Sequence, residues 1–175
     1  SSRFIDLSQR GTREIASTRD GRQHSFDPNR IFSSEAAQAT AALADAITSR
    51  LLPNAPVIAL HNNRGTLLAN YATGPFKKYT HAVYVNPAMD ASTVAVVPTR
   101  SLFEAVKKLG INVVWEDRAG TKDDGSLLAY AQRNNIPYIN IETRLGSSAQ
   151  AQLEIVRKMV PLVQAEALAA RALAG

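Results

Sequence analysis

Short runs rich in valine and isoleucine alternate along this chain with longer stretches of helical period. The runs are Val57 to His61, Ala82 to Val85, Thr93 to Val97, Val113 to Glu116 and Ile136 to Glu142. Between them, Thr99 or Ser101 caps a helix that ends at Gly110, with the Ser-x-x-Glu spacing of a capping box from Ser101 to Glu104. Asp123, Asp124 and Gly125 lead into a second helix from Ser126 to about Asn134. Ser147 with Gln150 opens a long alanine-rich third, where Leu153, Val156, Val160, Val163 and Ala167 make one stripe and Pro161 invites a kink. Each intervening stretch has room for a crossover, so the pattern predicts an α/β fold with a mixed, mostly parallel open sheet flanked by helices. A bundle or a sandwich does not alternate in this way.

The N-terminal third reads differently. Phe4 to Leu7 has the look of a short strand, and Glu14 to Thr18, an Asp20-Gly21 turn and Gln23 to Phe26 that of a hairpin. After Asp27-Pro28-Asn29-Arg30, Ser33 or Ser34 caps a helix to about Arg50, with Leu43, Ile47 and Leu51 on its core face. Asn62 to about Lys78 reads as an irregular connection, long for a compact domain, and such loops often carry function.

At 175 residues, 45% hydrophobic and 20% charged, the chain is expected to form a single domain over 1–175 with a substantial core. No apolar run reaches the roughly 18 to 20 residues that span a membrane, and the first residues lack a signal-peptide core. The expectation is a soluble chain without membrane partners, compatible with a periplasmic or secreted protein after processing. The net charge of +5 comes from 20 Lys and Arg that are spread out, not blocked together. Even the densest group, Arg3 to Arg30, is diluted by Asp6, Glu14, Asp20 and Asp27, which argues against nucleic acid and leaves attraction to an anionic small substrate or a cell-wall polymer. Without cysteine there is no disulfide, no thiolate and no Cys-type zinc site, so a metal would need His, Asp or Glu.

Three polar pieces stand out: Asp27-Pro28-Asn29-Arg30, His61 after an apolar strand, and Glu142 ending another. Singly, each has a structural reading as a turn, a hydrogen-bonded histidine or a solvated carboxylate. Together, polar strand ends and a loop can converge at one edge of an open α/β sheet.

Their order resembles the zinc carboxypeptidase family, in particular its bacterial branch related to the succinylglutamate desuccinylases. In that family an Asp-x-Asn-Arg segment holds the substrate carboxylate, a strand ends in the third zinc-ligand histidine, and a late strand ends in the general-base glutamate. Phe26 to Phe32, Val57 to Asn63 and Ile136 to Glu142 match those segments in order. The resemblance implies Asn29 and Arg30 as substrate anchors, His61 as a metal ligand, Glu142 as base and Arg13 as oxyanion stabiliser. It further implies one zinc ion and hydrolysis of an amide or peptide bond beside a carboxylate, on a small peptide or an N-acyl amino acid, cell-wall peptides included.

The family's His-x-x-Glu motif, which supplies the first two ligands, is missing: His24 and His81 do not begin one. The chain is therefore expected either to be the C-terminal part of a larger hydrolase domain, completed by an N-terminal segment of the same protein, or to be a metal-less, carboxylate-binding module. On either view the isolated chain should be inactive, since catalytic zinc needs three protein ligands.

Overall fold

The computed structural model describes residues 49, 51, 55–63, 65, 67–117 and 127–174. The expected strand 4–7, the hairpin 14–26, the helix to Arg50 apart from Ser49, the Asp123–Gly125 turn, and with them Arg13, Asn29 and Arg30, lie outside the described residues.

The described chain runs β1 (Val57–Asn63), α1 (Leu67–Ala72), a 3-10 turn (Lys77–Tyr79), β2 (Thr80–Tyr84), β3 (Val94–Val97), α2 (Arg100–Lys108), β4 (Val113–Glu116), α3 (Leu127–Arg133), β5 (Tyr138–Arg144) and α4 (Ala149–Ala174). Five strands form one open sheet in the order β1-β5-β3-β4-β2. β1 with β5 and β3 with β4 are parallel; β5 with β3 and β4 with β2 are antiparallel. The sheet is thus mixed, and its longest ladder, seven pairs between β1 and β5, is parallel.

Both faces are covered, which is why β3 reads Val-Ala-Val-Val with every residue buried. On one face Val94, Val96, Val114 and Tyr138 pack against Leu68 and Tyr71 of α1, Phe76, and Leu127, Leu128 and Ala131 of α3. On the other, Ala95, Val97, Val113, Ile139 and Ile141 meet Leu102, Phe103 and Val106 of α2 and Met159 and Val163 of α4. Successive strand residues point to opposite faces, so one β-branched run feeds both cores.

Several local expectations are corrected. The Asn62–Lys78 connection holds α1 and a 3-10 turn instead of being irregular throughout, because Leu68 and Tyr71 bury one side of a single short helix. β1 continues to Asn63, and β5 runs from Tyr138 to Arg144, so Glu142 lies two residues inside its strand. Thr99 is the N-cap of α2, its side chain accepting from the Leu102 amide at 3.3 Å. The Ser101 hydroxyl is used elsewhere: it donates to Glu166 of α4 at 2.6 Å, beside Thr99, which donates to the same carboxylate at 2.7 Å. α2 ends as expected before Gly110, whose φ of +68° suits glycine. At α4 the hydroxyl that accepts from the first turn is that of Ser148, not Ser147. The buried side of α4 follows Ile155, Val156, Met159, Val163 and Ala167, while Leu153 and Val160 face outward and the helix continues past Pro161.

Candidate functional site

The β1–β5 register assembles the site. His61 is the direct partner of Glu142, and Ala59 that of Asn140, so His61, Asn140 and Glu142 share one face of the sheet. His61 Nδ1 stands 3.4 Å from Glu142 Oε1, with the two side chains 17% and 8% exposed. That separation exceeds the usual 2.7 to 3.2 Å of an N–H···O bond, so the imidazole is not committed to the carboxylate. Asn140 Nδ2 donates to Glu142 Oε1 at 3.3 Å, a long bond. Glu142 Oε2 and Asn140 Oδ1 are both buried and without a hydrogen-bond partner. On its other side Glu142 is paired with Val94 of β3, which is fully buried.

An acceptor-rich, donor-poor cluster of this kind is costly by itself. Leaving a buried acceptor unmet costs about 1–3 kcal/mol, and more for a charged group. Groups that persist in such a state are found where something other than stability holds them, including catalysis and ion binding. Tyr138, two residues before Asn140 on the same face, shares this environment. Burial, then the charges of Glu142 and Glu116, push its phenol well above the ordinary tyrosine value.

The strand ends around the pair are clamped on both faces. On one, Thr143 Oγ1 donates to Asn62 Oδ1 at 2.9 Å, and Gln152 from the first turns of α4 reaches Asn62 Oδ1 and Thr143 Oγ1, each at 3.0 Å. On the other, Asn63 Nδ2 donates to the Ser92 carbonyl at 2.6 Å, and Arg144 grips Asp90 with two bonds of 2.9 and 3.0 Å. Hydrogen bonds from Arg144 and from the Ser92 amide hold the Asp90 carboxyl well below the usual carboxylate range. These contacts lock the register that sets His61 against Glu142.

Of the residues singled out in the sequence, then, His61 and Glu142 are brought together, while Arg13, Asn29 and Arg30 lie outside the described residues. Asn140 was not singled out. Its signal was a polar residue between Ile139 and Ile141, at the period-2 position that shares the face of Glu142. Glu116, buried at the end of β4 and accepting the Tyr71 hydroxyl at 2.9 Å, is a second carboxylate that sequence reasoning passed over. Among the described residues no group of three His, Asp or Glu side chains stands together as a ready metal cage. Nor is any described helix long and apolar enough to cross a membrane. Comparisons with known family profiles, with curated proteins and with solved structures find no match.

Proposed function

We propose that this chain is part of a zinc-dependent hydrolase that cleaves an amide or peptide bond beside a carboxylate, in a small peptide or an N-acyl amino acid. One observation carries the reading. Two polar residues far apart in sequence, His61 and Glu142, are direct partners in a parallel ladder and face each other at 3.4 Å, with one carboxylate oxygen left unpartnered. An imidazole ligand beside a carboxylate base is what metal-assisted hydrolysis requires.

Zinc, when bound, supplies a water acidified to a pKa of about 7 and a Lewis acid for the carbonyl. The chain's own residues do the rest. His61 offers one nitrogen donor, and Glu142 takes the proton of the attacking water and returns it to the leaving amine. In this reading Arg30 holds the substrate carboxylate through its planar fork, Asn29 adds a neutral donor, and Arg13 faces the developing oxyanion. The described residues supply one of the three protein ligands that the family pattern requires, so the remaining two come from outside them.

The test is a native mass spectrum of the protein from its own source, followed by hydrolysis assays on N-acyl amino acids with the wild type and Glu142→Gln. Bound zinc, with hydrolysis lost and ligand binding kept in the variant, is the expected result. Binding of carboxylate ligands without zinc or turnover in the wild type would replace this reading by that of a non-catalytic binding module.

A further inference from the structure

We infer that the outer edge of β1 is where two copies of this chain pair, antiparallel and about a two-fold axis at Leu60, so that their sheets join into one. The inference goes beyond the hydrolase reading and does not rest on it.

Among the described residues the sheet ends in β1 on one side and β2 on the other, and the two edges are built differently. β2 is blunted: it has five residues, follows Lys77 and Lys78, and shifts register between Thr80 and Ala82. β1 has seven residues, pairs with β5 without a break, and contains neither proline nor lysine. An edge left in that state is a template for another strand.

Its outward backbone groups fit a copy of themselves. The Val57 amide donates to the Pro137 carbonyl and the Asn63 carbonyl accepts from the Leu145 amide, both at 2.8 Å and both on the β5 side. The odd-numbered residues of β1 therefore turn their backbone groups to β5, and Ile58, Leu60 and Asn62 turn theirs outward. Centred on Leu60, an antiparallel pair sets Ile58 against Asn62, Leu60 against Leu60 and Asn62 against Ile58, each pair exchanging two hydrogen bonds.

The helix beside this edge has the same symmetry. Leu60, Leu153 and Val160 are large apolar residues left 41%, 47% and 37% exposed. Glu166 ties one flank of α4 to Thr99 and Ser101 of α2. Leu153 and Val160 lie on the opposite flank, across the buried stripe through Met159 and Val163, toward the β1 edge. α4 runs back from the end of β5, and Gln152 meets Asn62. Two residues back along β1, about 6.6 Å, the helix has advanced about four residues, so a level near residue 156 stands beside Leu60. Leu153 and Val160 are nearly equidistant from that level, and the two-fold brings each against the other in the second copy.

α4 lies evenly over β1 and β5. With strands about 4.8 Å apart, the two α4 helices then come to about 10 Å, the spacing at which helices pack. Glu154 of one helix falls within about a turn of Arg157 of the other, and the axis repeats this pairing of opposite charges.

The experiment is sedimentation equilibrium of the full chain at about 100 μM, above the micromolar Kd of a weak interface. The expected mass is twice the 18.9 kDa of one chain. Leu60→Lys, which sets two ammonium groups at the axis, and Leu153→Glu should each raise the dimer Kd by about tenfold or more, with circular dichroism unchanged. The chain has no cysteine, so Leu60→Cys supplies a single thiol. Opposed residues of such a pair have Cα atoms about 5.5 Å apart, within disulfide reach, so mild oxidation should give a covalent dimer. Val85→Cys, 51% exposed and just beyond β2 on the other edge, should not cross-link. If Leu60→Lys does not fold, Leu153→Glu and the Leu60→Cys cross-link decide. A monomer at that concentration overturns the inference; protection of the Ile58, Leu60 and Asn62 amides from hydrogen exchange in that monomer would show that a segment of the same chain covers the edge instead. A dimer left within about twofold by both Leu60→Lys and Leu153→Glu, or cross-linked as fast through Val85→Cys, overturns it too, by placing the contact on another surface.

Discussion

Replacing Glu142 by glutamine should make the metal-free protein more stable, not less. In the structure its Oε1 accepts one long bond, 3.3 Å from Asn140, and its Oε2 has no partner. A buried charged acceptor in that state costs more than the 1–3 kcal/mol or so of a neutral one. Glutamine keeps the shape and an acceptor for Asn140, and it exchanges an unmet charge for an unmet neutral amide, so the gain is the difference, about 1–2 kcal/mol. At about 2–4 °C per kcal/mol for a domain of this size, Tm should rise by roughly 2–8 °C. The assay is thermal unfolding by circular dichroism in EDTA at pH 8, above the range where imidazoles ordinarily carry charge. A fall in Tm for the metal-free variant would refute the reasoning, because it would make Glu142 a structural ion-pair partner.

Three further outcomes follow from the same structure. The folded state holds the Tyr138 proton more tightly than the unfolded chain does, so this contribution is complete below the ordinary tyrosine value of about 10 and declines above it by about 1.4 kcal/mol per pH unit. Urea titrations from pH 9 to 11 should show a steeper loss in wild type than in Tyr138→Phe; equal slopes would show that the phenol ionises without penalty. Asp90 is shifted the other way, so its contribution is present above the ordinary aspartate value of about 3.9 and fades as the pH falls below it. Asp90→Asn should therefore be less stable than wild type at pH 7, with the gap closing in acid, as read from unfolding midpoints between pH 2 and 7. Met159 is fully buried between α4 and the sheet, and Met159→Ala should cost about 2–5 kcal/mol by chemical denaturation.

How much of this could be read along the chain depended on how local each feature is. β4 was expected at Val113 to Glu116 and lies there, and α3 was expected within a residue of its observed bounds, because β-branched runs and the breakers around them act over a few residues. α1, by contrast, is not legible between Asn62 and Lys78. Its six residues are too few to show a periodic stripe, and it is held by burying Leu68 and Tyr71, not by helix propensity. In α4 alanine is so frequent that several stripes look equally apolar. The sheet chose the one through Met159, and left Leu153 and Val160 outside. His61 and Glu142 are legible as polar residues at the ends of apolar runs, but their adjacency is not, since it is made by pairing two strands far apart in sequence. Asn140 becomes visible only when that pairing says which face it shares.

The direction of the strands explains why the candidate site draws on so few of them. β1, β5 and β2 run one way, β3 and β4 the other, so the carboxyl ends of β1 and β5 lie beside the start of β3. In a fully parallel sheet the neighbouring strand would bring its own carboxyl end, with its loop, to this edge. Here it brings Val94, opposite Glu142, and the carboxyl end of β4 carries Glu116 toward the far edge. The polar groups are thereby confined to a two-strand ladder with a dry wall on one side. Such a site stands or falls with a single register: a slip of one residue would turn His61 to the opposite face. The register is held just beyond His61 and Glu142: Asn62, Thr143 and Gln152 tie β1 directly to β5, and Asn63–Ser92 with Arg144–Asp90 ties the ends of both strands to the turn before β3.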